Sequence, residues 1–259
     1  MTGRVSIGVA GALGPEAIAR LAPAVEAAGF AGLWVNDTPD GDALVALAAA
    51  AAVTDRLILA TGVIPVDRRP AEDVAREVVD LELPQERLVL GIGSGVQPKG
   101  ALARVGDAVD LLRGALGARV MVGALGPKMR HLGAERADGV LLNWVPPGIA
   151  ATQAGALHAA SADTHVAVYV RTAVDPAASA RLDVETARYA SYPNYAANFA
   201  RMGVAAPATT FRDEPALVDG LPDYRSAVDE VVLRAITADD SIGAMLAFIA
   251  RAAPVVQGS

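Results

Sequence analysis

The stretch LILATGVIPVDRRPAEDVAREVVDL, residues 57–81, decides the fold of this chain. It opens as a buried β-strand and closes as an amphipathic helix, whose predicted apolar face holds Val74, Val78, Val79 and Leu81. A strand followed by such a helix is the repeating unit of a parallel β-sheet. The join between them contains a glycine, two prolines and a pair of arginines, although a plain turn needs fewer special residues. The join is therefore either a connector or part of a site.

The same strand-then-helix pattern recurs along the chain. The predicted strands are residues 5–10, 32–36, 57–63, 87–93, 119–125, 139–144, 165–172 and 228–236. Eight parallel strands, each followed by a helix, are the number that closes into a barrel, so we predict an α/β fold of the (β/α)8 TIM-barrel type. An open doubly wound sheet is the structural alternative. No linker composition marks a boundary, which predicts a single domain over residues 1–259. Residues 191–224 are less periodic and are expected to form extra helices and a loop before the last strand.

Composition excludes several classes of partner. The chain has 259 residues, a net charge of -7 and only 4% aromatic residues, which argues against nucleic acid or an anionic membrane surface as the main partner. The apolar run at residues 43–53 is about half the length of a membrane span, and it is better interpreted as a buried helix. The absence of cysteine excludes disulfides and thiolate metal sites and is expected of a cytoplasmic protein.

Glycine clusters follow several predicted strands, at the barrel end where chemistry is expected. GIGSGV (residues 91–96) lacks the spacing of a dinucleotide fingerprint. It is either a tight turn or a run of backbone N–H groups that line a phosphate or a ring edge. GALGPKM (residues 123–129) places Pro127 at a predicted first helical position with Lys128 beside it, which is typical of an anion site. The two lysines of the chain, Lys99 and Lys128, both follow glycine-bearing strand ends.

Charged residues also stand at strand ends. Asp37 follows the second strand, where it is either a site carboxylate or the cap of a turn. Arg171 and Arg234 end the seventh and eighth strands and are placed to face a pocket, where guanidinium groups recognise phosphate or carboxylate. For Arg68 and Arg69 the candidate partners are an acidic coenzyme tail or the nearby acids Asp67 and Asp73.

The remaining side chains point to no metal site. His131, His158 and His165 are far apart in sequence and lack the spacing of helix-borne ligands, so we expect no metal site. Trp144 either stacks near the barrel mouth or fills the end of the sixth strand.

In combination, these segments resemble a known superfamily. Residues 28–39, 46–95, 122–147 and 228–234, which include AGFAGLWVNDTP, GIGSG and GALGPKM, resemble the luciferase-like monooxygenases. Within that superfamily they are most similar to the branch of oxidoreductases that use coenzyme F420. The resemblance implies a (β/α)8 barrel with a shortened region between the fourth and fifth units.

The resemblance also assigns expected roles to individual residues. It implies a cofactor wall at the end of the third strand, with a non-prolyl cis peptide between Gly62 and Val63, followed by Ile64. The loop after the fourth strand would border the cofactor, and the turn after the fifth would receive its phosphate. Those two cofactor-binding segments are Gly93, Ser94 and Gly95, and Leu125, Gly126, Pro127 and Lys128. Asp37 matches a carboxylate at the pocket mouth.

Two departures from the family pattern bear on catalysis. Thr38 stands where several deazaflavin dehydrogenases carry a histidine, and Val96 stands where they carry a glutamate. Asp37 and Thr38 remain the catalytic candidates and are expected to contact polar atoms of the substrate or the ring. Thr38 cannot titrate near neutral pH, so Asp37 is the candidate if a titratable catalyst is required. The leading expectation is hydride transfer between F420 and a small organic substrate by a cytoplasmic enzyme that forms a homodimer. The alternatives are an FMN-dependent monooxygenase of the same fold and a cofactor-binding protein without turnover.

Overall fold

The computed structural model describes residues 2–258 and consists of alternating strands and helices. The strands are β1 Arg4–Ala10, β2 Gly32–Asn36, β3 Ile58–Thr61, β4 Ile64–Pro65, β5 Leu88–Gly93, β6 Arg119–Gly123, β7 Gly139–Asn143, β8 His165–Thr172 and β9 Glu230–Ala235. The helices are α1 Gly14–Ala27, α2 Ala43–Ala51, α3 Ala71–Asp80, α4 Ala101–Ala115, α5 Pro127–Arg136, α6 Pro147–Ala160, α7 Ser179–Ser191, α8 Pro193–Met202, α9 Glu214–Ala227 and α10 Ile242–Gly258.

The strands form a closed parallel ring, which confirms the predicted barrel and excludes the open sheet. Around the ring they follow the order β1, β2, β3, β5, β6, β7, β8 and β9, and β9 pairs with β1 to close it. The strand β4 continues the path of β3 along β5. The barrel therefore has eight positions, and the third is occupied by two short strands.

An extra residue interrupts this third barrel strand. Ala60 lies opposite Val89 and Ile64 lies opposite Ile92, so four steps along one strand match three along the other. Such an unpaired residue is a β-bulge, which bends the strand and turns its side chains in a new direction. The bulge falls at the Gly62–Val63 peptide, which is cis, as the family resemblance implies.

Alternation along the strands separates two apolar regions, because successive side chains of a strand point to opposite faces. The larger region lies between the ring and the surrounding helices. The smaller region fills the barrel interior with Trp34, Ala60, Val89, Met121, Leu141, Ala167, Tyr169 and Val232. The barrel is thus a packed core that leaves room for a site only at its ends.

A buried carboxylate ties the first and last strands together at the amino-terminal end of the barrel. Glu230 accepts hydrogen bonds from Ser6 Oγ at 2.6 Å and from Trp34 Nε1 at 2.7 Å. Its other oxygen lies 2.9 Å from both Arg4 and His165. Burial alone would raise the pKa of Glu230, but His165, Arg4 and Ser6 together hold it at about 2. The group is therefore ionised and fully used in holding the barrel closed.

The helices occur where the sequence predicted them, with one error in the buried face of α3. Val79 was predicted on the apolar face of α3, and this was wrong: its residue surface is 59% exposed, whereas Val74 and Val78 are buried. The segment predicted to hold extra helices does so, since α8 and most of α9 lie between β8 and β9. Only residues 116–118 join α4 to β6, in agreement with the shortened region. Within residues 2–258, no helix has the length and apolar content needed to cross a bilayer.

Candidate functional site

The carboxyl ends of the strands form the mouth of the barrel, where the sequence placed the site. Inward-facing positions there lie two residues beyond the last inner-cluster residue of a strand, or four residues beyond it on β5, where Gly91 comes between Val89 and Gly93. They are Asn36, Gly62, Gly93, Gly123, Asn143, Arg171 and Arg234. One side of the mouth therefore carries glycines and the other carries polar and charged side chains.

The glycine side of the mouth, here called the glycine wall, consists of Gly62, Val63, Gly93 and Gly123. A Cβ atom on Gly93 would lie 2.7 Å from a methyl group of Val63, and one on Gly123 would lie 3.0 Å from the other methyl group. The Val63 side chain therefore packs over the ends of β5 and β6, which is possible only because these two positions have no side chain. The result is a smooth apolar surface that remains partly exposed at Val63 and Gly123.

Asn36 links the glycine wall to the next strand. Its Nδ2 donates to the carbonyl oxygen of Gly62, and its Oδ1 accepts from the Tyr169 hydroxyl at 3.4 Å. Burial raises the pKa of Tyr169 well above its usual range, so this hydroxyl keeps its proton. Asn36 thereby fixes the bulge from the β2 side.

A carboxylate joins the loop after β4 to the loop after β5. Asp67 accepts hydrogen bonds from the backbone N–H groups of Val96 and Gln97 at 2.8 and 3.0 Å. Gly95 has a φ of 70°, and a Cβ there would overlap the Asp67 carboxylate, so glycine is required. The predicted residues Ser94 and Gly95 thus lie in a loop that is anchored beside the glycine wall.

Asp37 lies in an ionic cluster whose contacts favour a structural role over a catalytic one. Its Oδ1 accepts from Arg69 at 2.7 Å and from the N–H of Ala43 at 3.1 Å, and its Oδ2 pairs with Arg68. Only 1% of the Asp37 side chain is exposed. These contacts tie the β2–α2 loop to the β4–α3 join, so the catalytic assignment of Asp37 stays a prediction.

The partners predicted for Arg68 and Arg69 among nearby acids were wrong. Arg69 pairs with Asp42 and Glu77 as well as with Asp37, whereas Asp73 pairs with Arg76. Asp67 is engaged by backbone N–H groups instead. The arginines of the opening stretch therefore hold two loops together.

Thr38 and Ile64, two further residues predicted to belong to the site, are both buried. The hydroxyl oxygen of Thr38 is buried and has no hydrogen-bond partner within residues 2–258. Ile64 is fully buried among the residues between the ring and the helices, so its side chain faces away from the mouth. Ile64 can contribute to a mouth site only through its backbone.

The turn between β6 and α5 has the features expected of an anion site. Gly126 caps the helix with no side-chain hydrogen bond, and a Cβ on it would meet no atom within 4 Å. Pro127 begins α5 and Lys128 is exposed next to it, so the first N–H groups of the helix face open space. Arg130 donates to the carbonyl oxygen of Leu125 at 2.8 Å and has no carboxylate within 4 Å in residues 2–258.

Arg130 was not predicted from the sequence, and it adds charge to this turn. Burial lowers the pKa of its guanidinium, and the nearby Arg201 of α8 lowers it further. Two arginines therefore approach each other near a helix amino terminus without a carboxylate between them. The spacing of Lys128 and Arg130 at the start of α5 is the sequence signal that could have identified it.

The opposite side of the mouth is polar and aromatic. Arg171 is 3% exposed, donates from Nε to Glu185 at 3.0 Å and from Nη1 to Asn143. Its guanidinium carbon lies 4.2 Å from the Trp144 ring centroid and 4.7 Å from that of Tyr189. Trp144 therefore lies under α7 at the end of β7, as one of the two sequence interpretations proposed. Arg234 is partly buried beside this cluster.

Glu185 was also missed from the sequence, because it comes from α7 in a segment without a motif. Burial would raise its pKa, but Arg171 and Arg234 hold the pKa below its usual range. Asn36 and Asn143 carried a usable signal, since each ends a predicted strand on the inward face. The three histidines lie apart, and no group of metal-ligating side chains occurs within residues 2–258.

The family model described as luciferase-like monooxygenase matches residues 2–120. The luciferase-like resemblance is confirmed. No curated protein sequence matches this chain.

Solved structures share this (β/α)8 barrel fold over nearly the whole chain. The coenzyme F420-dependent tetrahydromethanopterin reductase of Methanopyrus kandleri superposes with a TM-score of 0.74 at 16% identity, covering 96% of this chain and 98% of its own. An F420-dependent secondary alcohol dehydrogenase, solved with an F420–acetone adduct, gives 0.74 at 14% identity and 99% coverage of both chains. The oxygenating constituent of 3,6-diketocamphane monooxygenase from Pseudomonas putida, in complex with FMN, gives 0.69 at 12% identity, covering 100% and 99%. At these identities the similarity shows the fold.

Proposed function

We propose that this protein is an oxidoreductase that binds coenzyme F420 at the barrel mouth and transfers a hydride between it and a small organic substrate. The observation that carries the proposal is that the glycine wall and the β6–α5 turn lie on adjacent strands. A flat apolar surface next to a cationic helix start fits a planar ring that carries a phosphate.

The glycine wall fits the ring of such a cofactor. Val63, Gly93 and Gly123 present no polar side chain to the mouth, and Val63 packs flat against both glycines. Asn36 and Asp67 hold the two flanking loops in place through their hydrogen bonds. The surface is therefore preorganised, which reduces the entropic cost of binding.

The β6–α5 turn fits the phosphate. Gly126 leaves open space in front of the helix N–H groups, and Lys128 and Arg130 supply positive charge. The net charge of the chain is -7, so this local group of cations stands out from the rest of the surface as a site for an anion. Arg201 extends it beyond the turn, which favours a cofactor with an acidic tail in addition to a phosphate.

The cofactor, once bound, would accept or donate the hydride, and the protein would position the substrate beside it. Tyr169 and Asn36 would fix the wall behind the ring, and Trp144 and Tyr189 would keep water from the far side of the mouth. The buried hydroxyl of Thr38 has no hydrogen-bond partner within residues 2–258, and it would donate to a substrate oxygen that reaches it. Asp37 would support the loop that carries Thr38.

FMN is the second candidate, because solved relatives of the same fold bind either molecule according to their descriptions. Both candidates carry a planar tricycle and a phosphate, so the glycine wall suits both. The additional cation at Arg201 favours F420. A cofactor-binding protein without turnover is the third candidate, favoured by the ionic contacts that occupy Asp37.

Fluorescence titration of the purified protein with F420 and with FMN tests the proposal. We expect F420 to bind below roughly 0.1 mM, a free energy of about 5.5 kcal/mol, and more tightly than FMN. R130Q should weaken binding by about tenfold, because one charge-assisted contact is lost. R20Q is the matched control, since Arg20 is exposed on α1 and the change in net charge is the same.

The outcomes separate the candidates. Binding of neither molecule would overturn both enzyme proposals. Tighter binding of FMN would assign the monooxygenase alternative, and equal losses in R130Q and R20Q would remove the β6–α5 turn from the site. Binding of F420 without hydride transfer across a broad substrate panel would favour the third candidate.

A further inference from the structure

Two arginines lie side by side on neighbouring strands at the mouth. Arg171 of β8 is the direct cross-strand partner of Arg234 of β9. Both side chains follow inner-cluster residues by two positions, so both point to the barrel interior. Like charges directly opposite each other on paired strands are destabilising, and such an arrangement needs compensating negative charge.

The protein supplies that compensation for one arginine of the pair. Arg171 is buried, pairs with Glu185 at 3.0 Å, donates to Asn143 and is enclosed by two aromatic rings. Its charge and its Nε and Nη1 donors are therefore accounted for within the protein.

Arg234 has no such compensation. Its guanidinium donates to the backbone oxygen of the adjacent Ala235, and no carboxylate lies within 4 Å of it in residues 2–258. The side chain is only partly buried, so solvent reaches it at the mouth. Glu185 thus forms its ion pair with Arg171 alone and acts on Arg234 only from beyond 4 Å, so the excess positive charge is at Arg234.

The position of Arg234 in the ring places it across from the glycine wall. In the ring order, β9 is four strands from β5 in both directions, so it lies opposite the strand that ends at Gly93. A ligand group held by Arg234 would therefore face the surface proposed for the cofactor ring from the other side of the mouth. This is where a substrate would have to lie to exchange a hydride with that ring.

We propose that Arg234 binds an oxyanion group of the substrate, so that the enzyme acts on small organic anions, namely carboxylates or phosphate esters. The proposal rests on the proposed function for the reaction itself. A guanidinium group presents paired N–H donors that match the oxygens of carboxylate and phosphate. Binding such a group neutralises the charge that Glu185 leaves uncompensated.

Calorimetric titration of the cofactor-free protein with malonate and with inorganic phosphate, at constant ionic strength, tests the anion site directly. We expect binding of at least one probe to the wild type, a dissociation constant raised at least tenfold in R234Q, and an intermediate value in R234K. R20Q should bind as the wild type does. The probe that binds more tightly identifies the carboxylate or the phosphate as the recognised group.

Steady-state kinetics with matched substrate pairs, with and without a carboxylate, provide the second readout. R234Q should raise KM at least tenfold for the anionic member and leave KM for the neutral member unchanged. R234K should melt at the wild-type temperature and R234Q at that temperature or above it, since no ion pair is removed and R234Q relieves the repulsion with Arg171. Equal probe binding by the wild type and R234Q, or no probe binding by the wild type, would overturn the inference. Failure of F420 and FMN to bind would instead overturn the proposed function, and the titration with malonate and phosphate would still decide the anion site.

Discussion

Replacement of Asp37 by asparagine distinguishes a structural role from a catalytic one. D37N keeps the shape of the side chain but removes the charge that Arg68 and Arg69 share. If the carboxylate holds two loops together, the folded state should lose stability. If it acts on substrate, the loss should fall on turnover alone.

The expected magnitude follows from burial. Breaking a fully buried ion pair from one side costs about 3–5 kcal/mol. Here the Asp37 side chain is 1% exposed, but those of Arg69 and Arg68 are 14% and 34% exposed, so water partly solvates the cations that remain. We therefore expect a loss of about 2–3 kcal/mol, or roughly 5–10 °C in melting temperature for a chain of this size.

Circular dichroism melts and F420 titration are the assays, with D73N as the matched control. Asp73 also pairs with an arginine, but its side chain is 44% exposed and that of Arg76 is 61% exposed, so D73N should cost less than about 1 kcal/mol. A melting temperature for D37N within about 1 °C of the wild type, combined with lost turnover, would refute the structural role. It would also restore Asp37 as the catalytic candidate.

Three further predictions concern the barrel and its mouth. The pKa of Glu230 is lowered from 4.5 to about 2, so its ionised form stabilises the folded state above pH 4.5, and about 3 kcal/mol of that stability is lost as the pH falls toward 2. The melting temperature of E230Q should therefore vary less with pH between 4.5 and 2 than that of the wild type. Equal pH dependence of the two melting temperatures would contradict this prediction. G93A should displace Val63 and weaken F420 binding, because the new Cβ atom would lie 2.7 Å from a Val63 methyl group. The double variant G93A/V63A should recover part of the affinity, since it relieves that contact. An unchanged affinity in G93A would show that the glycine wall does not contact the cofactor ring. E185Q should lower the melting temperature by roughly 5 °C or more, since Arg171 would remain buried without its counter-ion, and an unaltered melt would show that Asn143 and the rings suffice.

The fold was predictable because its signal is repeated. Eight strand-and-helix units each carry the pattern locally, so errors of one or two residues at half of the strand ends do not alter the count. The closure of the ring followed from that number. Val79 was misplaced because it lies about 100° around the helix from Val78 and about 140° from Val74, which puts it outside the buried stripe.

The site was only partly predictable, for a physical reason. Glycines at strand ends are informative because they mark positions where another group can approach the backbone closely. Gly93 and Gly126 were therefore found from the local sequence. Glu185 reaches the mouth from a helix inserted far along the chain, and no periodicity encodes that contact. The partners of Arg69 depend on which loops the closed ring brings together, and the nearest acids in sequence were the wrong choice.

The ionic contacts around Glu230 have a consequence for the order of assembly during synthesis. The exposed edge of β1 finds its hydrogen-bonding partner only when residues 230–235 have left the ribosome. Until then Arg4 and Trp34 lack the carboxylate that they share, and the nascent sheet has two open edges that can pair with other chains. The arrival of β9, which begins at Glu230, thus covers both open edges in one step.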